Sequence, residues 1–154
     1  MQEATTDLFI ARAEAAAAQV HAVPDEAAAM REVESIRASC GALGGRALPG
    51  GTVGVARAAK GIAQTGTCVV VTDDESLRLE TMLPEVSVLL LNSADILPDL
   101  PSVAPFLREQ QTQGRASYVS FITGPSRTAD IERVSAIGVH GPLELHIVLI
   151  GGRP

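Results

Sequence analysis

The chain has 154 residues, of which 46% are hydrophobic and 19% are charged, and this balance is typical of a folded globular protein. Its formal net charge of -6 disfavours nucleic acid and anionic lipid as partners, because sites for phosphate groups are built from an excess of Lys and Arg. The apolar runs are much shorter than the roughly 20 residues of a membrane span, and Glu3 and Asp7 occupy the region where a signal peptide carries positive charge, so we expect a cytoplasmic protein without a membrane span.

Two helices are predicted near the amino terminus. Apolar residues recur at helical spacing over residues 7–21, and Thr6 or Asp7 can cap the start of this helix. His21 then ends the helix, where its charge suits the helix dipole. Pro24 and the two acidic residues after it are typical of a first helical turn, and the apolar spacing continues to about Ser39.

The change in composition along the chain predicts its organisation. A helical part over residues 1–40 is followed by a glycine-rich connection over residues 41–51, and an α/β core then covers residues 52–154. Because a chain of this length usually builds one core, we expect residues 1–154 to form a single domain.

Short aliphatic runs alternate with stretches of helical character after the connection. The predicted strands are residues 52–56, 67–72, 86–91, 118–123 and 145–150. The predicted helices are residues 58–63, 76–83, 103–113 and 128–137. Several strands are apolar without alternation, as expected when helices cover both faces of a parallel sheet. We therefore predict an α/β fold, a three-layer sandwich with a mostly parallel sheet.

Cysteine usage argues against a metal cofactor in this chain. Cys40 and Cys68 are far apart, and neither belongs to a CxxC pair or has a His at metal-ligand spacing. We expect both to be reduced, buried thiols and predict no cofactor and no metal site here.

Residues 122–132 read ITGPSRTADIE and connect a predicted strand to a predicted helix. Ligands of open α/β sheets bind outside the carboxyl ends of the strands, where helix N-termini attract anions. Gly124 permits a tight turn, Ser126 and Thr128 can cap the helix or donate to a ligand oxygen, and Arg127 can bind a carboxylate or phosphate with two parallel hydrogen bonds. An anion at the start of the helix is one interpretation of this loop.

A purely structural interpretation of the same loop is equally supported by its residue types. Ser126 or Thr128 then only caps the helix, while Arg127 pairs with Asp130 or Glu132.

Two other segments carry polar residues next to glycines. Thr65 and Thr67 flank Gly66 before the strand at residues 67–72, and they are more typical of a turn than of a catalytic site. His140 lies close to Gly138 and Gly141 in the segment GVHGPL, where a lone loop histidine is more often solvated than functional. His146 alternates within a strand and is interpreted as a structural residue.

Three segments together resemble the LUD-domain family, and within it the C-type subunit of the bacterial lactate-utilisation system. They are GIAQTGT at residues 61–67, ITGPSRTADIE at residues 122–132, and GVHGPL at residues 138–143 with the strand that follows. The resemblance implies a fold similar to sugar-phosphate isomerases and CoA transferases, the NagB/RpiA/CoA-transferase-like fold. It also implies a role in oxidation of L-lactate to pyruvate, with iron–sulfur clusters only in partner subunits.

The resemblance also implies a set of site residues. The ligand-binding positions that it transfers to this chain are Gln64, Thr65, Gly66, Thr67, Thr123, Gly124, Ser126, Arg127, Thr128, His140 and Gly141, with Pro125 and Pro142 as further signature positions. The candidates for acid/base catalysis are Asp130, Glu132 and His140.

Two departures from the family pattern bear on function. Members usually have Glu before Thr-Gly-Thr, whereas this chain has Gln64, an amide that cannot act as a general base or a carboxylate nucleophile. Members also usually have a longer amino-terminal half, so we expect a smaller sheet with an edge that a partner or a second copy covers, as in a homo-oligomer.

The preferred hypothesis is an accessory, non-redox subunit of lactate oxidation that binds a small organic acid or a phosphorylated ligand. Its partners are then the iron–sulfur subunits. One alternative is an enzyme acting on a small anion, with Arg127 as the anchor. The other is a purely structural subunit that binds no ligand.

Overall fold

The computed structural model describes residues 1–42, 53–74, 76, 84–114, 118–126 and 141–152. Three α-helices and eight strands are present in these ranges. The helices are α1 (Gln2–Ala15), α2 (Glu26–Ala42) and α3 (Ala104–Thr112). The strands are β1 (Gln19–Val23), β2 (Val53–Arg57), β3 (Lys60–Ile62), β4 (Thr67–Thr72), β5 (Val86–Asn92), β6 (Ile96–Leu97), β7 (Tyr118–Ile122) and β8 (Glu144–Ile150).

The first sheet is wholly parallel and has the strand order β1-β8-β5-β2. In its register Val20 lies opposite Ile147, and Val88 lies opposite both His146 and Val55. Its central strands β5 and β8 are buried on both faces, which explains their unbroken aliphatic sequence. The predicted α/β class with a mostly parallel sheet is confirmed.

A second sheet, which the sequence did not predict, has the strand order β6-β3-β4-β7. Its strand β4 is antiparallel to both β3 and β7, while β3 and β6 are parallel. The pairing of β4 with β7 places Cys68 opposite Ile122. The ends of these two strands therefore lie side by side, although some fifty residues of sequence separate them.

Buried aliphatic side chains hold the layers together on each side of the first sheet. Val33 and Ile36 of α2 pack against Val88 and Val148 on one face. The other face meets the second sheet and α1 in a core to which Phe9, Leu89 and Ile147 belong, each with 0% of its surface exposed. A smaller cluster joins the outer face of the second sheet to α3. The order of layers is α2, the first sheet, the second sheet and α3.

The helix predicted over residues 7–21 is wrong at its carboxyl end. Helix α1 ends at Ala15, and residues from Gln19 onwards form β1 instead. Ala17 adopts a positive φ of 69°, and the Ala18 N–H donates to the Ala13 carbonyl, which closes the helix in a Schellman-type cap. The alanine-rich sequence favours a continued helix, but parallel pairing with β8 outweighs that local preference.

The helix predicted over residues 58–63 is also wrong. Residues Lys60–Ile62 form β3, which makes a hairpin with β4. Gly61 packs closely enough that a Cβ there would lie 2.8 Å from Leu91 Cδ2, so a residue that disfavours helices serves a tight contact with β5.

The remaining elements agree closely with the sequence prediction where the structure describes them. Helices α2 and α3 and strands β2, β4, β5, β7 and β8 match the predicted ones within a few residues. The predicted helix at residues 128–137 lies outside the described residues, as do almost all of the helix at residues 76–83 and the glycine-rich connection. Across the described ranges, every helix is too short or too polar to cross a membrane.

Replacing Ala17 with glycine should stabilise the protein. An L-residue with a Cβ in the left-handed region costs about 1–2 kcal/mol, and glycine avoids this cost while adding some freedom to the unfolded chain. Ala17→Gly should therefore raise the free energy of unfolding by about 0.5–1 kcal/mol in urea titrations. The control is Ala11→Gly at an exposed site within α1, which should lower it by about 1 kcal/mol. Destabilisation by both substitutions would contradict the prediction.

Candidate functional site

The Thr-Gly-Thr turn and the Thr-Gly-Pro loop lie together because β4 and β7 are antiparallel neighbours. Thr67 begins β4 and Thr123 follows the end of β7. Their hydroxyl oxygens are 2.6 Å apart, and the Thr65 hydroxyl lies 2.7 Å from that of Thr67. Two of the sequence motifs thus form one row of three hydroxyl groups.

This hydroxyl row has one proton to donate outside itself. Each hydroxyl carries one proton, and two of the three protons are used by the two contacts within the row. Thr67, in the middle, is 4% exposed, whereas Thr65 and Thr123 at the two ends are exposed. The row can therefore donate one hydrogen bond to a ligand oxygen, at either of its accessible ends.

The third segment joins the second through Ser126. The Ser126 backbone N–H donates to the Pro142 carbonyl over 2.8 Å, and Gly141 has a positive φ of 96° beside the Ser126 side chain. Gln64 lies at the other side of the group, exposed, with its backbone N–H donating to the Pro98 carbonyl. The described parts of all three motif segments are thus brought together.

Both motif glycines pack against the carboxyl end of α1. Gly66 and Gly124 have φ values of 66° and 68°, in the left-handed region that favours glycine. A Cβ on Gly66 would lie 2.3 Å from the Ala13 nitrogen, and one on Gly124 would lie 2.2 Å from the Ala16 oxygen. Backbone packing by itself therefore requires glycine at these two positions.

The expected location of the loop relative to the sheet needs correction. The loop does follow the carboxyl end of a strand, but that strand, β7, belongs to the second sheet. Beside the parallel sheet, the loop contacts Ala16 and Pro142, which precede the amino ends of β1 and β8. The carboxyl end of α1 also brings partial negative charge there, which disfavours an anion next to Ala16.

The remaining predicted site residues lie outside the described residues. They are Arg127, Thr128, Asp130, Glu132 and His140. The anion at the helix start and the acid/base candidates therefore stay predictions.

Sequence reasoning missed a row of four ionisable side chains on the α2 face of the first sheet. His21 Nε2 lies 2.9 Å from His146 Nδ1, and the outer nitrogens of the rings lie 2.9 Å from Glu32 Oε1 and 3.3 Å from Glu144 Oε2. The row borders a shallow cavity of about 260 Å³, to which Cys40 also contributes.

His21 was assigned to a helix end, and this assignment is wrong because it lies in β1. The signal that could have found the row was the alternation of Gln19, His21 and Val23, which puts them on one face of a strand. His146 does serve as a hydrogen-bonded structural residue, as its alternation in β8 indicated.

Burial controls the ionisation of His21 and of the two cysteines. It lowers the pKa of His21, against the opposing attraction of Glu32 and with a smaller lowering by His146. It also raises the pKa of Cys40, with a contribution from Glu144, and raises that of the fully buried Cys68 to about 12. Both thiols are therefore uncharged at neutral pH, and the described part of the chain contains no group of three or more ligands suited to a metal ion.

Comparison with known proteins agrees with the motif resemblance. The sequence pattern of the LUD domain matches residues 51–150. The uncharacterized protein YkgG of Escherichia coli K12 is 36% identical over 100 residues, which are 64% of this chain and 43% of that protein. Lactate utilization protein C of Geobacillus thermodenitrificans is 32% identical over 103 residues, 66% of this chain and 43% of that protein. The chain thus spans less than half the length of these relatives.

A solved structure shows the same fold over nearly the whole chain. It is the 1.70 Å crystal structure of a DUF162 family protein from Deinococcus radiodurans, with a TM-score of 0.64 at 12% identity. The match covers 98% of this chain and 99% of the other. At this identity the likeness concerns the fold alone.

The close contact of Gly124 with α1 can be tested by adding a single methyl group. Gly124→Ala should lower the free energy of unfolding by about 3 kcal/mol, because it combines a strained φ with a clash against the Ala16 carbonyl. Gly114→Ala is the matched control, since its φ is 61° and nothing lies within 4 Å of the added Cβ. It should cost only the backbone strain, about 1–2 kcal/mol in urea titrations. Equal losses in the two variants would exclude tight docking of the loop on α1.

Proposed function

The chain belongs to the LUD domain family, and on this basis we propose that it is a non-redox component of bacterial lactate utilisation that binds a small organic acid or a phosphorylated ligand. The observation that carries the proposal is the convergence of the motif segments. Thr65, Thr67 and Thr123 share one hydroxyl row, and Ser126 is bonded to Pro142. Strand pairing brings these distant segments together, and a shared ligand would give their polar residues a common role.

The chemistry of these residues suits an oxygen-rich anion. The hydroxyl row has one proton to donate, at its exposed Thr65 or Thr123 end. Arg127 is the next residue after Ser126, and its guanidinium supplies two parallel donors that match a carboxylate or a phosphate. In this role Arg127 neutralises the charge of the ligand, and the hydroxyl row orients the ligand.

Electron transfer is assigned to other subunits. A Cys-ligated iron–sulfur cluster uses four thiolates, and this chain has two cysteines, of which Cys68 is fully buried in the core. We place the clusters in cytoplasmic partner subunits, which accept the electrons of lactate oxidation. A homo-oligomer, expected from uncovered sheet edges, stays a prediction.

A purely structural role is the second candidate, and the glycine contacts favour it. Gly66 and Gly124 are both required by packing against α1, and the threonine hydroxyls bond one another. In this case the motifs lock α1, β4 and β7 together and no ligand binds. The third candidate, a small-anion enzyme, uses Asp130, Glu132 or His140 as the acid or base.

Binding measurements with an arginine variant separate the ligand-binding role from the structural one. Titration calorimetry with lactate, pyruvate and sugar phosphates should detect binding of at least one of them to the natural protein. Arg127→Ala should weaken that binding about 10- to 100-fold, since charge-assisted hydrogen bonds contribute about 1.5–3 kcal/mol. Arg108→Ala, at an exposed position on α3, should leave it unchanged. The absence of binding to the natural protein would favour the structural role.

Turnover assays with a Gln64 variant separate binding from catalysis. Because the amide of Gln64 does not titrate, the natural chain should not turn over a small organic acid or its phosphate. Turnover that appears in Gln64→Glu, but not in the matched exposed variant Gln111→Glu, would identify position 64 as an acid/base position. Turnover by the natural chain would instead support the enzyme hypothesis, with His140 or Asp130 as the base.

A further inference from the structure

Glu32, His21, His146 and Glu144 form a continuous row that crosses three elements. Glu32 comes from α2, His21 from β1, and His146 and Glu144 from β8. The imidazole rings are nearly parallel, at 21°, and the three successive contacts are 2.9, 2.9 and 3.3 Å long. The side chain of His146 is 8% exposed and that of His21 is 27% exposed, so neither ring can leave the row freely.

The three contacts of the row need three protons. Every contact joins two atoms that both carry lone pairs, so each requires one proton between them. Two neutral imidazoles supply only two ring protons, and ionised carboxylates supply none. Three contacts are therefore satisfied only when the pair of histidines holds one proton more than two neutral rings.

We propose that this row is a pH-sensitive joint that holds one shared extra proton and thereby ties β1 and α2 to the amino end of β8. Removal of that proton leaves a ring lone pair facing the Glu144 carboxylate, and this contact opens because Glu144 is exposed. Addition of a further proton places two N–H groups against each other over the 2.9 Å between His21 and His146, and this contact also opens. All three contacts are made only when the two rings together carry three protons.

The joint lies close to the loop contacts of the candidate site. Glu144 is two residues after Pro142, whose carbonyl accepts the Ser126 N–H, and the N–H groups of Leu143 and Glu144 both donate to the Glu85 carbonyl. Opening the joint frees the start of β8 on one side. We expect the nearby backbone contact between Ser126 and Pro142 to respond to this opening.

The direction of the pH response follows from the groups that face His21. These are Glu32 and Cys40 from α2 and His146 and Glu144 from β8, and burial outweighs the attraction of Glu32 in lowering the pKa of His21. Folding therefore favours the neutral form of His21. The contribution of neutral His21 to stability is present above pH 6.5, its ordinary pKa, and is lost as the pH falls towards the lowered pKa.

Nitrogen-15 NMR of the intact, histidine-labelled protein tests the proton count directly. At about pH 6.5, three of the four ring nitrogens of His21 and His146 should carry protons and one should be an acceptor. The amide signals of Ser126 and Leu143 should shift with the histidine signals as the pH is lowered. A count of two or four protons, or amide signals that ignore the histidines, would overturn the proposal.

Glutamine substitutions identify the charge that holds the extra proton. In Glu144→Gln the amide donates to a neutral His146, so the count should fall from three to two at the same pH. The matched control is Glu34→Gln, because Glu34 lies on α2 near Glu32 but pairs with Arg37. In this variant the two histidine rings should still carry three protons. A count of three in both variants, or of two in both, would contradict the joint. Because Glu144 is exposed, we expect Glu144→Gln to fold. The proton count in the natural protein tests the joint without any substitution.

Discussion

The central position of β8 is the constraint on which the rest of this structure depends. This strand lies between β1 and β5 and pairs in parallel with both. Leu145, Ile147 and Leu149 face the core between the sheets, while Val148 and Ile150 face α2. Strands β1 and β8, the first and the last in the described part of the chain, are therefore neighbours in the sheet. The parallel sheet therefore depends on pairing between residues remote in sequence.

Helix α1 contacts both the turn before β4 and the loop after β7, and so holds the two parts of the candidate site together. Its carboxyl end reaches the turn before β4 and the loop after β7, and the two glycines there leave room only for backbone. The same contacts close the core around Phe9 and Ala13, which are completely buried. Signature residues of a family can thus be required by packing first, with ligand binding added to a loop arrangement that already exists.

Two rows of hydrogen-bonding side chains lie on different faces of the fold. In each row, the number of protons relative to the number of contacts decides which hydrogen bonds can form. The threonine row has one more proton than its internal contacts use, so it can donate outwards. The histidine row has one contact more than two neutral rings can satisfy, so it must take up a proton. The first row suits ligand binding and the second suits control, and β8 connects them through the segment from Pro142 to Glu144.

The sequence by itself determined the α/β class, most of the helices and strands, and the membership of the three motifs in one family, because these depend on local periodicity and on short residue strings. It did not determine β1 or β3. The alanine-rich residues before Gln19 favour continuation of the helix, whereas residues 19–23 and 60–62 form strands by pairing with β8 and β4. The meeting of Thr67 with Thr123, and of His21 with His146, likewise depended on register between strands remote in sequence. Only the tertiary structure could decide these contacts, because a strand's partner is chosen by the burial and hydrogen bonding of the whole sheet.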